Sequence, residues 1–428
     1  MVSPDFPGNL SAMGTGTKPQ TVRTRRVMYI PGYDPVPPRK YRERYRREAA
    51  RQADISGYDI ALAKKQGDGR FGWRVEAHID GAATATEVEV MYWADIVRTS
   101  MTQGIPGTYA QLLRTAWAYI GSGALFRLMR LRKGPVIAAL FPVVVLLAQL
   151  ALAILLFGAV IRVAWGSALA LDLTMEAGLV ILGAGVVLGC FAGWAFLRWC
   201  KRRDHILAWY LMHDYAFSAQ LNGAYPPAQE TRMAAFADRI AEALTGDADE
   251  VLIVGHSSGA YIAVSILADL IRAGRVPSGG PALSLLTLGH VVPMVSFLPG
   301  AARLRADLAY LSARDEVTWV DVTAPGDGCS FALCDPVAVT GVAPADKRWP
   351  LVISAAFTQT LAPETQKALK FRLFELHFQY LNAFDRPGDY DYFTITAGPL
   401  TLGQRFAGRA ASKSRIEIPV NRYTDIAA

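Results

Sequence analysis

Two stretches stand apart from the mixed polar and apolar pattern of the chain. Gly134 to Ile161 and Ala177 to Leu197 carry no charge, each over more than the roughly 18 residues that mark a membrane-crossing helix. Being apolar on every face, they predict a two-helix transmembrane hairpin rather than a pair of buried core helices. Gly183, Gly185, Gly189 and Gly193 are expected to let the second helix pack closely on the first, because backbones approach where side chains are small. Elsewhere short β-branched runs alternate with segments of helical period. Arg26 to Ile30, Trp73 to Ile79, Thr86 to Trp93, Glu250 to Val254, Leu283 to Leu288 and Val317 to Val322 read as strands. Helical sequence is expected around Thr108 to Leu131, Asp204 to Gln220, Ala228 to Leu244, Ser258 to Ala273, Leu304 to Ala313 and Glu364 to Asn382. Strands and helices in alternation predict an α/β fold with a mostly parallel sheet covered on both faces, interrupted in sequence by the hairpin.

The division expected from this pattern is a disordered lead at 1–22, two parts of one α/β domain at 23–132 and 202–400, the hairpin at 133–201, and a tail at 401–428. Composition agrees, since 52% of residues are hydrophobic, high for a soluble enzyme, and the excess lies in the hairpin. Arg127, Arg130, Arg132 and Lys133 precede the first span, and Arg198, Lys201, Arg202 and Arg203 follow the second. By the positive-inside rule both flanks, both termini and the α/β domain are expected on the cytoplasmic side of an inner membrane. Trp165, Trp194 and Trp199 fall near the expected interfaces. The N-terminus shows no basic stretch followed by an apolar run, so it is not read as a secretory signal. Four cysteines form neither a zinc spacing nor a disulfide framework. The net charge of +7 is spent largely beside the spans and in YRERYRREAAR (Tyr41 to Arg51), which reads either as a solvated helix face or as a patch for anionic lipid. No nucleic-acid module is present. Gly14 to Lys18 resembles a phosphate loop in composition alone.

Candidate chemistry begins at Val251 to Gly259, VLIVGHSSG. A buried-strand run, then Gly255-His256-Ser257-Ser258-Gly259, then a helical pattern is the setting of a nucleophile elbow, where a serine stands clear of the sheet on a sharp strand-to-helix turn. Ser257 is the candidate nucleophile. Its hydroxyl needs a histidine to take its proton and a carboxylate to orient that histidine. Only His290 and His377 lie downstream, and the order Ser, acid, His favours His377 as base. Asp327, in the Pro325-Gly326-Asp327-Gly328 turn after a late strand, is the favoured acid, with Asp335 as the alternative. The oxyanion would take backbone N–H groups from Ser258 and from Tyr33, the latter in the Pro31-Gly32-Tyr33 loop after the first strand.

GHSSG, the late PGDG turn, the late ELHFQY histidine and the first-strand PGYDP loop together resemble the α/β-hydrolase superfamily, on its lipase and esterase side. The resemblance covers about Arg23 to Arg132 and Arg202 to Pro399. LHFQYLNAF followed by YDYFTITAGP also looks like the C-terminal segment of bacterial membrane-anchored hydrolases of that superfamily. Two departures are a Pro-Gly where many esterases have His-Gly, and a hairpin inserted in the first half rather than a cap after later strands. The resemblance implies hydrolysis of acyl esters through a Ser257–Asp327–His377 triad and an acyl-enzyme, without metal or organic cofactor. Lipids or other acyl esters in the bilayer are the expected substrates, with Ile206 to Phe217 and Leu351 to Leu361 as candidate acyl-pocket segments. A thioesterase or acyltransferase with the same triad, and a catalytically inactive membrane scaffold, are the alternatives.

Overall fold

The computed structural model describes residues 21–64 and 71–427. The lead up to position 20, with Gly14 to Lys18, lies outside the described residues. Val22, read above as the end of that lead, belongs to the body: it is buried, and its N–H donates to the Pro399 carbonyl at 2.8 Å.

Among the described residues eight strands make one mixed sheet: β1 (Thr24–Ile30), β2 (Asp59–Lys64), β3 (Gly72–Ile79), β4 (Ala82–Val90), β5 (Glu250–His256), β6 (Ala282–Leu288), β7 (Thr318–Thr323) and β8 (Leu351–Ser354). Their order is β2-β3-β4-β1-β5-β6-β7-β8. From β4 to β8 all neighbours are parallel, while β3 is antiparallel to β2 and β4. The β3–β4 link is the two-residue Asp80-Gly81, both at positive φ, a hairpin signal that sets β4 to begin at Ala82 rather than at Thr86. Side chains alternate across the sheet as the pleat demands. Met28, Ile30, Val251, Ile253 and Leu285 face one core, shared with the helices Pro227–Leu244 and Gly259–Arg272. Val27, Tyr29, Leu252, Val254 and Leu286 face the other, shared with the helix Arg39–Ser56 and the segment from Tyr380 to Phe406.

β1 and β5 are direct neighbours, with Ile30 opposite Gly255. The loop after the first strand therefore emerges beside the elbow although more than 200 residues separate them. At the opposite edge the Arg25 Nε donates to Glu250 at 2.6 Å with both side chains fully buried. Glu250 also accepts from Ser284 Oγ and from the Leu402 N–H, each at 2.7 Å, and Arg25 donates to the Gly398 carbonyl at 2.7 Å.

Two expected elements change. The segment from Leu351 is strand β8 followed by the helix Phe357–Thr360; Val352, Ile353 and Phe357 are buried in the core, so it does not line the cavity described below. The expected helix from Glu364 to Asn382 is three pieces, Pro363–Leu369, Leu373–His377 and the 3-10 turn Phe378–Leu381, and His377 stands at a break. The tail at 401–428 packs on the body: Ile416 bridges Cys334, and Asp425 pairs with the buried Arg305 at 2.8 Å.

The helices Lys133–Ala170 and Met175–Arg202 are long and apolar enough to cross a membrane, and their side chains are largely exposed. A Cβ on Gly185 would meet Ala164 at 2.6 Å, one on Gly189 would meet Phe157 at 2.8 Å, and one on Gly193 would meet the Ala153 carbonyl at 3.3 Å. Gly183 differs from its expected role, having nothing within 4 Å of that position. The first helix is the longer, 38 residues against 28. Its opening turns, with Pro135 and Val136 buried, lie against the body, where Tyr109 Oη donates to the Leu146 carbonyl at 2.9 Å and Trp209 Nε1 to Gln149 at 3.0 Å.

The arginine-rich helix Arg39–Ser56 turns several of its charges to the chain itself. Arg44 donates to Asn382 Oδ1 at 3.0 Å and lies over the Phe378 ring, Arg51 reaches Asp385 at 2.5 Å, and Arg46 pairs with Glu43.

Candidate active site

The strand β5, a turn and the helix Gly259–Arg272 hold Ser257 at φ +57°. A non-glycine residue in the left-handed region is strained and persists only where its surroundings impose it. The imposing contacts are local: the Ser257 N–H donates to the Leu288 carbonyl at 2.9 Å, and its carbonyl accepts from the Ala260 N–H at 3.1 Å. Close approach explains the flanking glycines. A Cβ on Gly259 would fall 2.1 Å from the Ile30 carbonyl oxygen, and one on Gly255 would lie 2.7 Å from the Gly259 carbonyl. β1 thus presses against the elbow. Its loop continues past Gly32, where a Cβ would sit 2.9 Å from Ser257 Cβ and 3.3 Å from Oγ.

His377 ends the short helix Leu373–His377, 50 residues beyond Asp327, and its Nδ1–H donates to Asp327 Oδ2 at 2.8 Å. That bond leaves Nε2 as the free ring nitrogen. Asp327 is held on both oxygens, accepting from the Cys329 N–H at 2.9 Å and from Tyr380 Oη at 3.0 Å. Burial raises the cost of its charge, yet the adjacent His377 and these hydrogen bonds outweigh it and hold the carboxyl below its ordinary range. His377 and Ser257 both line one cavity of about 550 Å³ at the carboxyl ends of the parallel strands, where open α/β sheets place their ligands.

Backbone donors are available where an oxyanion would form. Among the described residues the N–H groups of Ser258 and Tyr33 have no acceptor, and Ser258 immediately precedes a helix, with that helix's positive end. The Tyr33 loop is pinned on several sides. Trp93 Nε1 donates to the Pro31 carbonyl at 2.9 Å, Tyr33 Oη bonds Ser100 Oγ at 2.6 Å, and Tyr210 Oη donates to the Tyr33 carbonyl.

Asp335 lies elsewhere in function. Its Oδ1 caps the helix Pro336–Thr340, accepting from the Val337 and Ala338 N–H groups at 2.9 and 3.0 Å, and Lys347 Nζ is 2.6 Å from Oδ2. A carboxylate so engaged is not at His377. His290 is a buried structural histidine, with Nε2 against the Cys334 carbonyl at 2.9 Å.

Three participants carry little signal in the sequence. His256, within the elbow, turns back under the sheet edge: its Nε2–H donates to the His377 carbonyl at 3.0 Å, and the two rings lie 4.8 Å apart. Burial, then the neighbouring His377, pushes its pKa down to about 3, so it stays neutral and fixes the backbone that carries His377. Tyr380 braces Asp327. Asp214, from the helix Ala208–Ala219, lines the same cavity; burial pushes its carboxyl up to about 7, with His377 pulling the other way.

Asp327, Cys329 and His377 place three donor atoms within 4.8 Å of one another, a spacing compatible with a cation. Their chemistry is that of a hydrogen-bonded acid–base pair instead. Both Asp327 oxygens and His377 Nδ1 are engaged with protein groups, and burial, then the Asp327 charge, pushes the Cys329 thiol well up, away from the thiolate a metal takes.

The cavity wall is mixed in origin. Pro135, Ala138 and Phe141 come from the first hairpin helix, while Ile206, Leu207, Phe371 and Leu373 contribute apolar surface. Phe371 is 87% exposed and Ile206 54%. Comparison with protein-family models, with curated proteins and with solved structures finds no match.

Proposed function

We propose that the chain is a membrane-anchored serine hydrolase of the α/β-hydrolase kind that cleaves acyl esters of lipids or lipid-like molecules. One observation carries this reading: an Asp327–His377 pair and a strained Ser257 share a single cavity. In the proposed cycle His377 Nε2 takes the Ser257 Oγ proton as Oγ attacks the ester carbonyl carbon. Asp327 keeps the imidazole in the tautomer with its proton on Nδ1 and steadies its positive charge. The N–H groups of Ser258 and Tyr33 receive the oxyanion, each such donor accounting for about 3–4 kcal/mol in enzymes where one has been removed. The alcohol leaves with the proton from Nε2, and water, activated by the same nitrogen, releases the acid and restores Ser257.

The membrane part of the reading rests on two helices of sufficient length and apolar character, and on the hairpin residues in the cavity wall. An acyl chain in the bilayer would then approach Ser257 along Phe141 and past the exposed Ile206 and Phe371. Basic residues at both hairpin flanks favour a body on the cytoplasmic face of an inner membrane. An inert scaffold has no need of a hydrogen-bonded acid and base beside a strained serine, so their convergence favours chemistry.

The test is activity-based labelling in detergent. A fluorophosphonate is expected to label the wild-type protein and to leave Ser257→Ala unlabelled, with hydrolysis of long-chain esters lost in parallel. Absent labelling of a folded wild-type protein, or equal labelling of the variant, removes the proposal. Product formed from an added alcohol or thiol acceptor at the expense of free acid would identify a transferase.

A further inference from the structure

The helix Ala208–Ala219 presents one stripe to the cavity: Leu211, Asp214, Tyr215 and Ser218, continued before the helix by Leu207. The two leucines fit the wall of an acyl pocket, but Asp214 does not. Among the described residues its carboxylate has no hydrogen-bond donor and no ion-pair partner. Two aspartates near it are engaged by protein groups: Asp327 by His377, and Asp34 by Tyr41. The reason is that Asp214 is only half-buried and opens into the cavity, so a ligand that displaces the water there must replace the hydrogen bonds it removes.

The groups facing Asp214 give that reason a direction. His377 and Cys329 lie across the cavity, Ser218 is on its own helix, and Tyr215 is its chain neighbour; Tyr261 lies beneath. At the rim the exposed Arg372 pairs with Glu375 at 2.5 Å, and among the described residues no arginine or lysine pairs with Asp214. The cavity is therefore graded. Ile206, Leu207, Phe371 and Leu373 give an apolar approach, while Asp214, Ser218, Ser257 and His377 make a polar floor.

We infer that Asp214 is the recognition group of a head-group subsite, taking a hydrogen-bond-donating or cationic head of an amphiphilic ester and disfavouring a phosphate in that place. The inference rests on the proposed hydrolase reading and narrows its substrates. Esters of glycerol or other polyols fit, as do amine-bearing heads, because each supplies what the carboxylate lacks. Lysophosphatidic acid and its relatives would set a phosphate against a carboxyl that is ionised above about pH 7, so the comparison is made above that pH.

The experiment compares kcat/KM in detergent micelles for four dodecanoyl substrates: the glycerol monoester, the choline ester, the ethyl ester and lysophosphatidic acid. The glycerol monoester is expected to exceed the ethyl ester by about tenfold or more, the range of one hydrogen bond to a charged group, with lysophosphatidic acid the poorest of the four. A choline ester matching the glycerol ester would identify charge as the feature read, and one matching the ethyl ester would identify the hydrogen-bond donor. Asp214→Leu is expected to shrink the glycerol-to-ethyl ratio towards one, and Asp214→Asn, which keeps the shape but not the charge, to shrink the choline-to-ethyl ratio. Fluorophosphonate labelling of Ser257 in every variant reports whether the triad still reacts. Ester turnover with no head-group preference, with a preference for the phosphate, or with ratios unmoved in both variants would overturn the inference while leaving the hydrolase intact. Loss of all turnover and labelling in the wild type would overturn both.

Discussion

In the sequence Gly32 reads as part of the loop after the first strand and His256 as a spacer of the elbow, and each is tied in space to a candidate catalytic group. Gly32 has its Cα turned at Ser257, so Gly32→Ala would drive a methyl to 2.9 Å from Ser257 Cβ and 3.3 Å from Oγ. Its backbone has no positive φ to lose. The variant is expected to lose about 1–3 kcal/mol of stability, the range for overpacked contacts, and to lose the proposed ester turnover by about a hundredfold, as displaced geometry at a reacting centre does; melting and turnover measured side by side would check it. Two groups at the site should set the pH dependence of stability, with opposite signs. His256 titrates at about 3 in the folded chain against about 6.5 unfolded, so its contribution is complete above pH 6.5 and is lost as pH falls towards 3. Asp214 titrates at about 7 folded against about 3.9 unfolded, so its neutral form stabilises most below pH 4, and this is lost as pH rises to 7. Each has a limiting slope of about 1.4 kcal/mol per pH unit, and between pH 4 and 6.5 they largely cancel. Thermal melts of Asp214→Asn are therefore expected to rise with pH across that window more steeply than wild type. Superimposable profiles would show that Asp214 is charged throughout.

At the scale of elements, the hairpin offers an internal control. Gly189 abuts Phe157, whereas Gly183 faces open space. Gly189→Leu is expected to force the helices apart at about 1–3 kcal/mol, the range for overpacked contacts, and Gly183→Leu to be close to neutral. Melting in detergent, with disulfide trapping of a cysteine pair at positions 153 and 193, distinguishes the two; equal effects would mean that the hairpin packs by another face. Other elements show what the chain pattern conveyed. β5 and its helix were legible because a fully buried strand and an elbow both leave dense local signals. β8 was not, since four residues, LVIS, carry no period of their own and become a strand only by pairing with β7. The helical period from Glu364 to Asn382 continued across Arg372, where the observed chain breaks to turn His377 towards Asp327.

For the whole molecule, the buried Arg25–Glu250 pair links β1, β5, β6 and the segment from Gly398 to Leu402, joining the chain across the inserted hairpin. Arg25→Met leaves Glu250 buried without its partner and is expected to cost about 3–5 kcal/mol. A chemical denaturation midpoint indistinguishable from wild type would mean that the pair is not holding the two halves together.

The chain alone determined the hairpin, the α/β alternation and the candidate serine, because apolar length, strand and helix period and the glycine-flanked turn are local properties. It also narrowed the base to two histidines by order. The choice of Asp327 over Asp335, the pressing of the Gly32 loop onto Ser257, the brace of His256 beneath His377 and the unpaired Asp214 in the cavity were decided by tertiary structure. Each depends on which strands become neighbours and which carboxylates find donors, and those contacts join residues tens to hundreds of positions apart.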